Sequence, residues 1–392
     1  MTRETESAAP LPPTVRALGW TSFFTDFSSE AIYPLLPGFV KGLGGSGVEI
    51  GLIDGLANAV AAVVRLPAGA ASDVVGRRPL VLAGYGLSAL VRPLVGLVTS
   101  PLGVLVVRAA DRFGKGIRTA PRDALVADAV PPTERGRAFG HIRALDHAGA
   151  AVGPLAAMLF LLTFPGRLRP LFLLTLLPGL ATLAVIWRFV RDPPAPPRPA
   201  DAPAARLSRP QAALLGCVAV WSLGASSEQF LLLRAGDLGV PEAFVPLVWF
   251  AMSGAKSAAA ARAGRLADGL DPRAVLAAGW LLFAAAYGCL AWATSLAAVL
   301  GLLVVVGLAY GIVEPAERAL VAALAPAGRQ GAGFGWYALV QGVMALPAGL
   351  LAGWLWERAG AGPAAAFAVT AGLAALAAGL LAVAVRGRAA GG

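Results

Sequence analysis

Charge is what this sequence has little of. Of its 392 residues only 14% are Asp, Glu, Lys or Arg, 57% are hydrophobic, and mean hydropathy is +0.72. A soluble domain carries about 25% charge. An ordinary soluble enzyme, a disordered chain and a nucleic-acid-binding domain are therefore excluded. The net charge of +10 does not restore nucleic acid as a partner. The basic residues lie between apolar runs, where they orient a chain in a bilayer. Cysteine and histidine are also scarce. Cys217 and Cys289 sit in apolar stretches and no CxxC is present, so no metal site, redox pair or cofactor is expected. The two histidines are His141 and His147, and nearly all basic residues are Arg, which stays protonated in proteins. Proton-exchanging groups are few. HExxH and GxSxG are missing, so no enzyme activity is expected. Without GxxxxGK[ST], ATP is not the expected energy source. The opening MTRETESAAPLPPTVR lacks the parts of a signal peptide, and the first apolar span is expected to stay in the mature protein.

What is present is a succession of long apolar runs. At about 30 residues per span and loop, roughly a dozen transmembrane helices fit. They read as spans 1 to 6 at 17–40, 47–71, 79–99, 102–128, 137–163 and 169–190, and spans 7 to 12 at 210–234, 242–262, 274–295, 297–325, 331–356 and 362–386. The uncharged stretch Ala274–Val313 is too long for one span, and Ala293, Thr294 and Ser295 are its expected turn. A β-barrel is excluded, because its strands would alternate polar and apolar residues. The Pro-rich segment RDPPAPPRPADAPAARLSR, residues 191–209, reads as an extended linker between an N-terminal six-helix unit, 1–190, and a C-terminal one, 210–392. With the N-terminus inside, most loop Lys and Arg fall on one side, which puts both termini and the linker in the cytoplasm. Arg in place of Lys and heavy Ala, Gly and Pro use point to a G+C-rich prokaryotic gene, hence to a multi-pass protein of a cytoplasmic membrane.

The two halves repeat. GAASDVVGRRPLVLAG at 69–84 matches GRLADGLDPRAVLAAG at 264–279, and ALVADAVPPTERGRAFG at 124 matches ALVAALAPAGRQGAGFG at 319. Both pairs share an offset of 195 residues, so spans 1–6 are duplicated as spans 7–12. Parallel repeats of this kind place a binding site near the midplane, between the halves. The chain resembles a twelve-helix transporter of the major facilitator superfamily over nearly its whole length. That family's loop between spans 2 and 3 carries G-x-L-a-D-r-x-G-r-r, matched here by Gly69, Asp73, Gly76, Arg77 and Arg78. Val74 departs from it, since a basic residue is usual there. The second copy keeps Gly264 and Asp268 but has Asp271 in place of Gly. The resemblance implies that these residues lock the cytoplasmic gate. In span 5, Gly140, Gly149, Gly153 and Pro154 resemble the antiporter motif of the family's exporters, with Ala157 and Met158 where Gly-Gly is usual. Small residues there let the helix lie close to a neighbour. The fold implied is all-α, with twelve transmembrane helices in two six-helix bundles related by a pseudo-two-fold axis.

Ionisable residues inside spans are expensive, and their default reading is functional. Span 1 holds Asp26 and Glu30, four apart and so on one face. Span 4 holds a basic stripe of Arg108, Arg112, Lys115 and Arg118, with Asp111 beside it, then Arg122 and Asp123. The family's motif R-x-x-q-G-x-g matches at Arg112 and Gly116, and implies a coupling or binding role for Arg112. Asp54, Arg92, Arg143, Asp146 and His147 complete the first half. The second half has Glu228, Lys256, Glu314, Glu317 and Arg318. Asp26, Glu30, Asp111 and His147 are the candidate proton carriers. Arg108, Arg112, Lys115, Arg143, Asp146, Glu228 and Glu314 are the candidate cavity residues. Simple ion pairing competes with these roles: Asp111 with Arg108 or Lys115, Asp146 with Arg143, Glu317 with Arg318. The expected function is proton-coupled efflux of a small organic solute by a monomer in the bilayer. The alternative is exchange or symport of an anionic metabolite on the basic stripe, because Arg binds carboxylate and phosphate well.

Overall fold

The structure is a computed structural model describing residues 10–131, 135–191, 207–225, 227–267, 271–324, 330–358 and 362–384. All regular elements among them are helices. Span 1 is α1 (Pro13–Ile32) and α2 (Leu36–Gly42), and span 2 is α3 (Gly47–Val75). Span 3 is α4 (Arg77–Val91) with a 3₁₀ turn at Arg92–Gly96, span 4 is α5 (Pro101–Asp128), and span 5 is α6 (Arg135–Thr163). Span 6 is α7 (Leu168–Leu174) and α8 (Leu176–Phe189). Span 7 is α9 (Arg209–Gly224) and α10 (Gln229–Asp237). Spans 8 to 12 are α11 (Val245–Ala267), α12 (Pro272–Trp292), α13 (Leu296–Leu324), α14 (Gln330–Glu357) and α15 (Gly362–Ala384). The expected turn at 293–295 is there, between α12 and α13.

Local chemistry sets these limits. Ser46 and Ser208 close capping boxes with Glu49 and Gln211, and Ser100 and Asp271 cap helices whose first residue is proline. Such side chains satisfy orphan N–H groups that lipid cannot. The sequence reading treated each span as continuous, but spans 1, 6 and 7 are broken. Pro34 lies within the 3₁₀ turn Tyr33–Leu35 that separates α1 from α2, and Pro37 follows in the first turn of α2. Proline cannot donate to the preceding turn, so the ladder is interrupted there.

Nine spans among the described residues are long and apolar enough to cross a bilayer. The three outside that set are spans 1, 4 and 7. Span 4 carries the densest run of charge, and spans 1 and 7 are broken. Large apolar side chains such as Leu177, Trp187, Leu281 and Val383 are exposed on the periphery, a surface suited to lipid.

Within the first half α1 packs on α6 and α8, and α5 on α3 and α4. In the second, α11 packs on α13, and α12 on α13 and α15. The halves meet through α3 on α14 and, less extensively, α6 on α11. The 195-residue offset exchanges these two pairs, as a pseudo-two-fold requires. The first contact is backbone on backbone: a β-carbon on Gly51 would overlap the carbonyl of Gly349, and one on Gly353 that of Gly47. An apolar cluster closes the same end. It joins Ile32, Leu36, Phe39, Ile50 and Ile53 of the first half to Phe230, Leu233 and Ala352 of the second. Lys41 pairs with Asp237 at 2.6 Å across it, and Gly47 N–H donates to Glu357. The opposite end, which bears Arg77, Arg78 and Arg273, is called the basic end below.

The span 5 glycines pack as their spacing suggests. β-carbons on Gly149 and Gly153 would overlap the carbonyls of Phe23 and Phe27 on α1. Gly149→Val is expected to cost about 1–3 kcal/mol of stability, read as a lower thermal unfolding midpoint in detergent. Gly216→Val, whose β-carbon meets open space, is the control. Equal midpoints would show that α1 and α6 are not this close.

Candidate functional site

A cavity of about 590 Å³ lies between the halves. Its walls come from α1, α3, α4, α5 and α6 on one side and α13 and α14 on the other. The lining residues of α3, α5, α6, α13 and α14 all lie in the portions of those helices nearest the basic end. The far portions are packed shut by the seal just described.

Its lining is charged and unbalanced. Arg65, Lys115, Arg118, Arg122, Arg143 and Arg318 face it with only Asp26, Asp123 and Asp146. Three of these cations are engaged. Arg122 binds Asp123 at 2.9 Å, Arg143 reaches Asp146 at 3.5 Å, and Arg318 binds Glu314 at 2.6 Å. Arg118 donates to Ser88 Oγ at 2.6 Å and stacks over the Tyr85 ring at 4.3 Å. Asp26 enters none of the ion pairs among the described residues.

Glu30, one turn further along α1, is held differently. Its Oε2 accepts from the indole Nε1 of Trp249, on α11 of the other half, at 2.8 Å. Asp54 is similar. It accepts from Ser227 Oγ at 2.7 Å, also across the interface, and from Tyr33 and Asn58 at 3.4 Å. Gln229 Nε2 donates to the Tyr33 carbonyl at 3.3 Å. First-half carboxylates thus take neutral donors from the second half at the inner edge of the seal. Glu228 precedes Gln229 at the α9–α10 break and is half-buried.

The span 4 stripe divides. Lys115, Arg118 and Arg122 line the cavity, whereas Arg108 is 1% exposed and points into the packed region. Asp111 is clamped by Arg92 at 3.0 Å and Arg108 at 3.5 Å, and Arg92 also donates to Ser28 Oγ at 2.8 Å. These groups tie α1, α4 and α5 together. Asp111 has two guanidiniums to lose before it could carry a proton, so the geometry favours a structural ion pair. Arg112 is half-buried and is absent from the cavity lining. His147 is exposed on α6, also outside that lining.

One expected pair is corrected. Arg318 pairs with Glu314, four residues back along the helix, and not with its neighbour Glu317. Glu314 lies one turn back on the same helix face, within easy reach of the guanidinium. Glu317 is instead bonded to Tyr337 and Gln341.

The loop motif is only partly described. Gly76 has φ +90°, a conformation that needs glycine and turns the chain from α3 into α4. Arg77 pairs with Asp128 at 2.6 Å and Arg78 donates to the Trp187 carbonyl, both within the first half. Gly69 lies close to Ala120. The side chain of Asp73 and the whole of Asp268 lie outside the described residues, and Gly264 is described only as helical backbone.

The comparisons agree with this architecture. A family model for the Major Facilitator Superfamily matches residues 18–235 and 212–391. The chain belongs to the major facilitator superfamily. It is similar to an uncharacterised MFS-type transporter of Methanocaldococcus jannaschii, 30% identical over 365 residues that cover 91% of each chain. A shorter match joins it to the multidrug resistance protein MdtH of Proteus mirabilis, 33% identical over 132 residues, a third of each chain. Among solved structures, a bacterial homologue of the human lysosomal transporter Spinster superposes with TM-score 0.75 at 15% identity, covering 95% of each chain. The protein is therefore a multi-pass secondary transporter of this superfamily. Against that fold, sequence reasoning missed Arg65, Trp249, Ser227, Tyr337 and Gln341. Arg65 was detectable, as a charge inside span 2. The others are neutral, and no burial cost marks them in a sequence.

Asp111→Asn would leave Arg92 and Arg108 buried beside an amide, a loss of about 3–5 kcal/mol. It is expected to lower the unfolding midpoint in detergent sharply, whereas Asp26→Asn, in a wet cavity, leaves it near that of the wild type. Equal midpoints for the two variants would remove Asp111 from its structural role.

Proposed function

We propose that this transporter exports a small organic solute in exchange for protons, by alternating access. The cavity carries the reading: both halves line it, the seal among the described residues lies at one end, and Asp26 stands in it outside the ion pairs of the described residues. The basic end is taken as cytoplasmic. That places both termini in the cytoplasm of a prokaryotic cell and makes this the inward-open state. Residues 1–190 and 210–392 are the two rocking units, joined by the linker 191–209.

Asp26 and Glu30 divide the work on one helix face. Glu30 is withdrawn into the seal on Trp249, and Asp26 meets cavity water. When the seal parts and the basic end closes, the same face turns outward and takes up protons. On return, Asp26 releases its proton as solute enters, so proton and solute exclude each other. Loop residues Asp73, Arg77 and Arg78 with Asp268 form the inner gate in the other state. Export, as opposed to uptake, is supported by the tight Gly149–Gly153 packing on α1 and by the partial match to a multidrug resistance protein.

The six cations against three carboxylates support a second reading, a solute that carries carboxylate or phosphate and travels with a proton, not against it, or by exchange. This keeps the anionic-substrate reading, with Lys115, Arg118 and Arg122 of the stripe as its contacts and Arg65 added to them.

Inside-out vesicles with an acidic lumen test both parts. A radiolabelled solute taken from the thermal-shift hits is expected to accumulate only while the proton gradient stands, and Asp26→Asn is expected to abolish accumulation. Gradient-independent transport by wild type and variant alike would sink the antiport reading. In thermal-shift screens, stabilisation by lipophilic cations and not by anions would reverse the substrate assignment.

A further inference from the structure

Glu317 is a buried carboxylate that neither the cavity lining nor any ion pair uses. It is 1% exposed, on α13. Its Oε2 accepts from the Tyr337 hydroxyl and from Gln341 Nε2 at 3.1 Å, and Gln341 also donates to Tyr337 Oη at 2.9 Å. Its Oε1 is buried and has no partner. The indole N–H of Trp280, on α12, is turned toward this carboxyl as a further neutral donor, short of full hydrogen-bond geometry.

The surrounding charges do not neutralise it. On its own helix, Arg318 is taken by Glu314. Lys256 of α11 sits over the Tyr310 ring at 5.1 Å, two turns away along α13. Tyr287 of α12 stacks on Phe283 at 4.3 Å, and Glu314, one turn back on α13, adds negative charge. A carboxylate removed from water without a cation is costly, and hydrogen bonds from neutral donors repay only part of that cost. Oε2, which already accepts from Tyr337, is the atom at which this acid would receive a proton.

The route for that proton is also built. Tyr337 and Gln341 line the cavity, and Glu317 lies behind them. A hydroxyl both donates and accepts. Tyr337 can pass its own proton to Glu317 Oε2 as it takes one from cavity water, so one proton moves inward and the tyrosine is unchanged. The repeat shows that this is not a copy of the first-half arrangement. The 195-residue offset sets Glu317 against Arg122, Gln341 against Asp146, and Trp280 against Tyr85. The second half has its acid where the first has a cation, and a neutral amide where the first has its acid.

We propose that Glu317, Tyr337 and Gln341 form a second proton-carrying site, in the C-terminal half, fed from the cavity through the Tyr337 hydroxyl. It rests on the proton-coupled reading of the cavity, but its test needs no solute, because the probe is the proton. Full-length protein in liposomes is followed by infrared difference spectroscopy as bulk pH is stepped. Wild type is expected to show the carbonyl stretch of a protonated carboxyl that vanishes at higher pH. Glu317→Gln loses that band, while Asp26→Asn keeps it. Tyr337→Phe keeps the band but exchanges its proton more slowly after a pH jump. In an Asp26→Asn background, a titrating band that survives Glu317→Gln overturns the site, as does a Glu317 that stays charged or protonated throughout. An unchanged exchange rate in Tyr337→Phe overturns the route. A normal Glu317 band in vesicles that show no gradient-dependent solute transport would sink the export reading alone.

Discussion

A charge in a hydrocarbon layer has to be paired or wetted. At the centre of a spanning helix, a bare Arg or Asp costs about 2.5–3.5 kcal/mol on insertion scales. This one constraint sorts the ionisable side chains of the protein. Arg92, Asp111 and Arg108 pay by pairing, deep between α1, α4 and α5. Lys115, Arg118, Arg122 and Asp26 remain because the two halves stand apart there and leave a cavity. Span 4 is too polar to count as an apolar crossing helix for the same reason. Polarity that would forbid insertion of a lone helix is acceptable in a helix that borders water and ion-pair partners.

The cavity depends in turn on where the halves touch. Glycine on glycine lets α3 and α14 approach backbone to backbone near Gly51 and Gly349. The apolar cluster around Phe39 and Phe230 fills the same end. Such a contact has two packed states more readily than a continuum of them, because close-packed surfaces either fit or part. The carboxylates of Glu30 and Asp54 stand at the edge of this contact and accept hydrogen bonds from Trp249 and Ser227 across it. Groups able to take a proton are thus part of what holds one end shut.

Much of this was legible in the sequence, and for identifiable reasons. Apolar runs mark spans because no water satisfies backbone groups in lipid, and the span ends fell within a few residues of the helix ends. The offset of 195 residues disclosed the duplication, whereas the contacts of α3 with α14 and of α6 with α11 came only with the structure. The Asp146–Arg143 pair followed from helical spacing. The breaks at Tyr33–Leu35 and between α9 and α10 were not read, although Pro34 and Pro37 signalled the first. The pairing of Glu317 was misread, because its partners lie twenty and more residues along the chain on another helix.

By itself, then, the sequence determined that the chain crosses a membrane a dozen times, that its halves are repeats, and which residues carry intramembrane charge. Those are properties of local composition and periodicity. Only the tertiary structure decided which charges are buried pairs and which face water. Arg108 and Lys115 lie seven residues apart on one helix, close to two turns, and read as one stripe, yet one is sealed in the core and the other stands in the cavity. What separates them is the packing of the neighbouring helices, which closes one end of the molecule and leaves the other open.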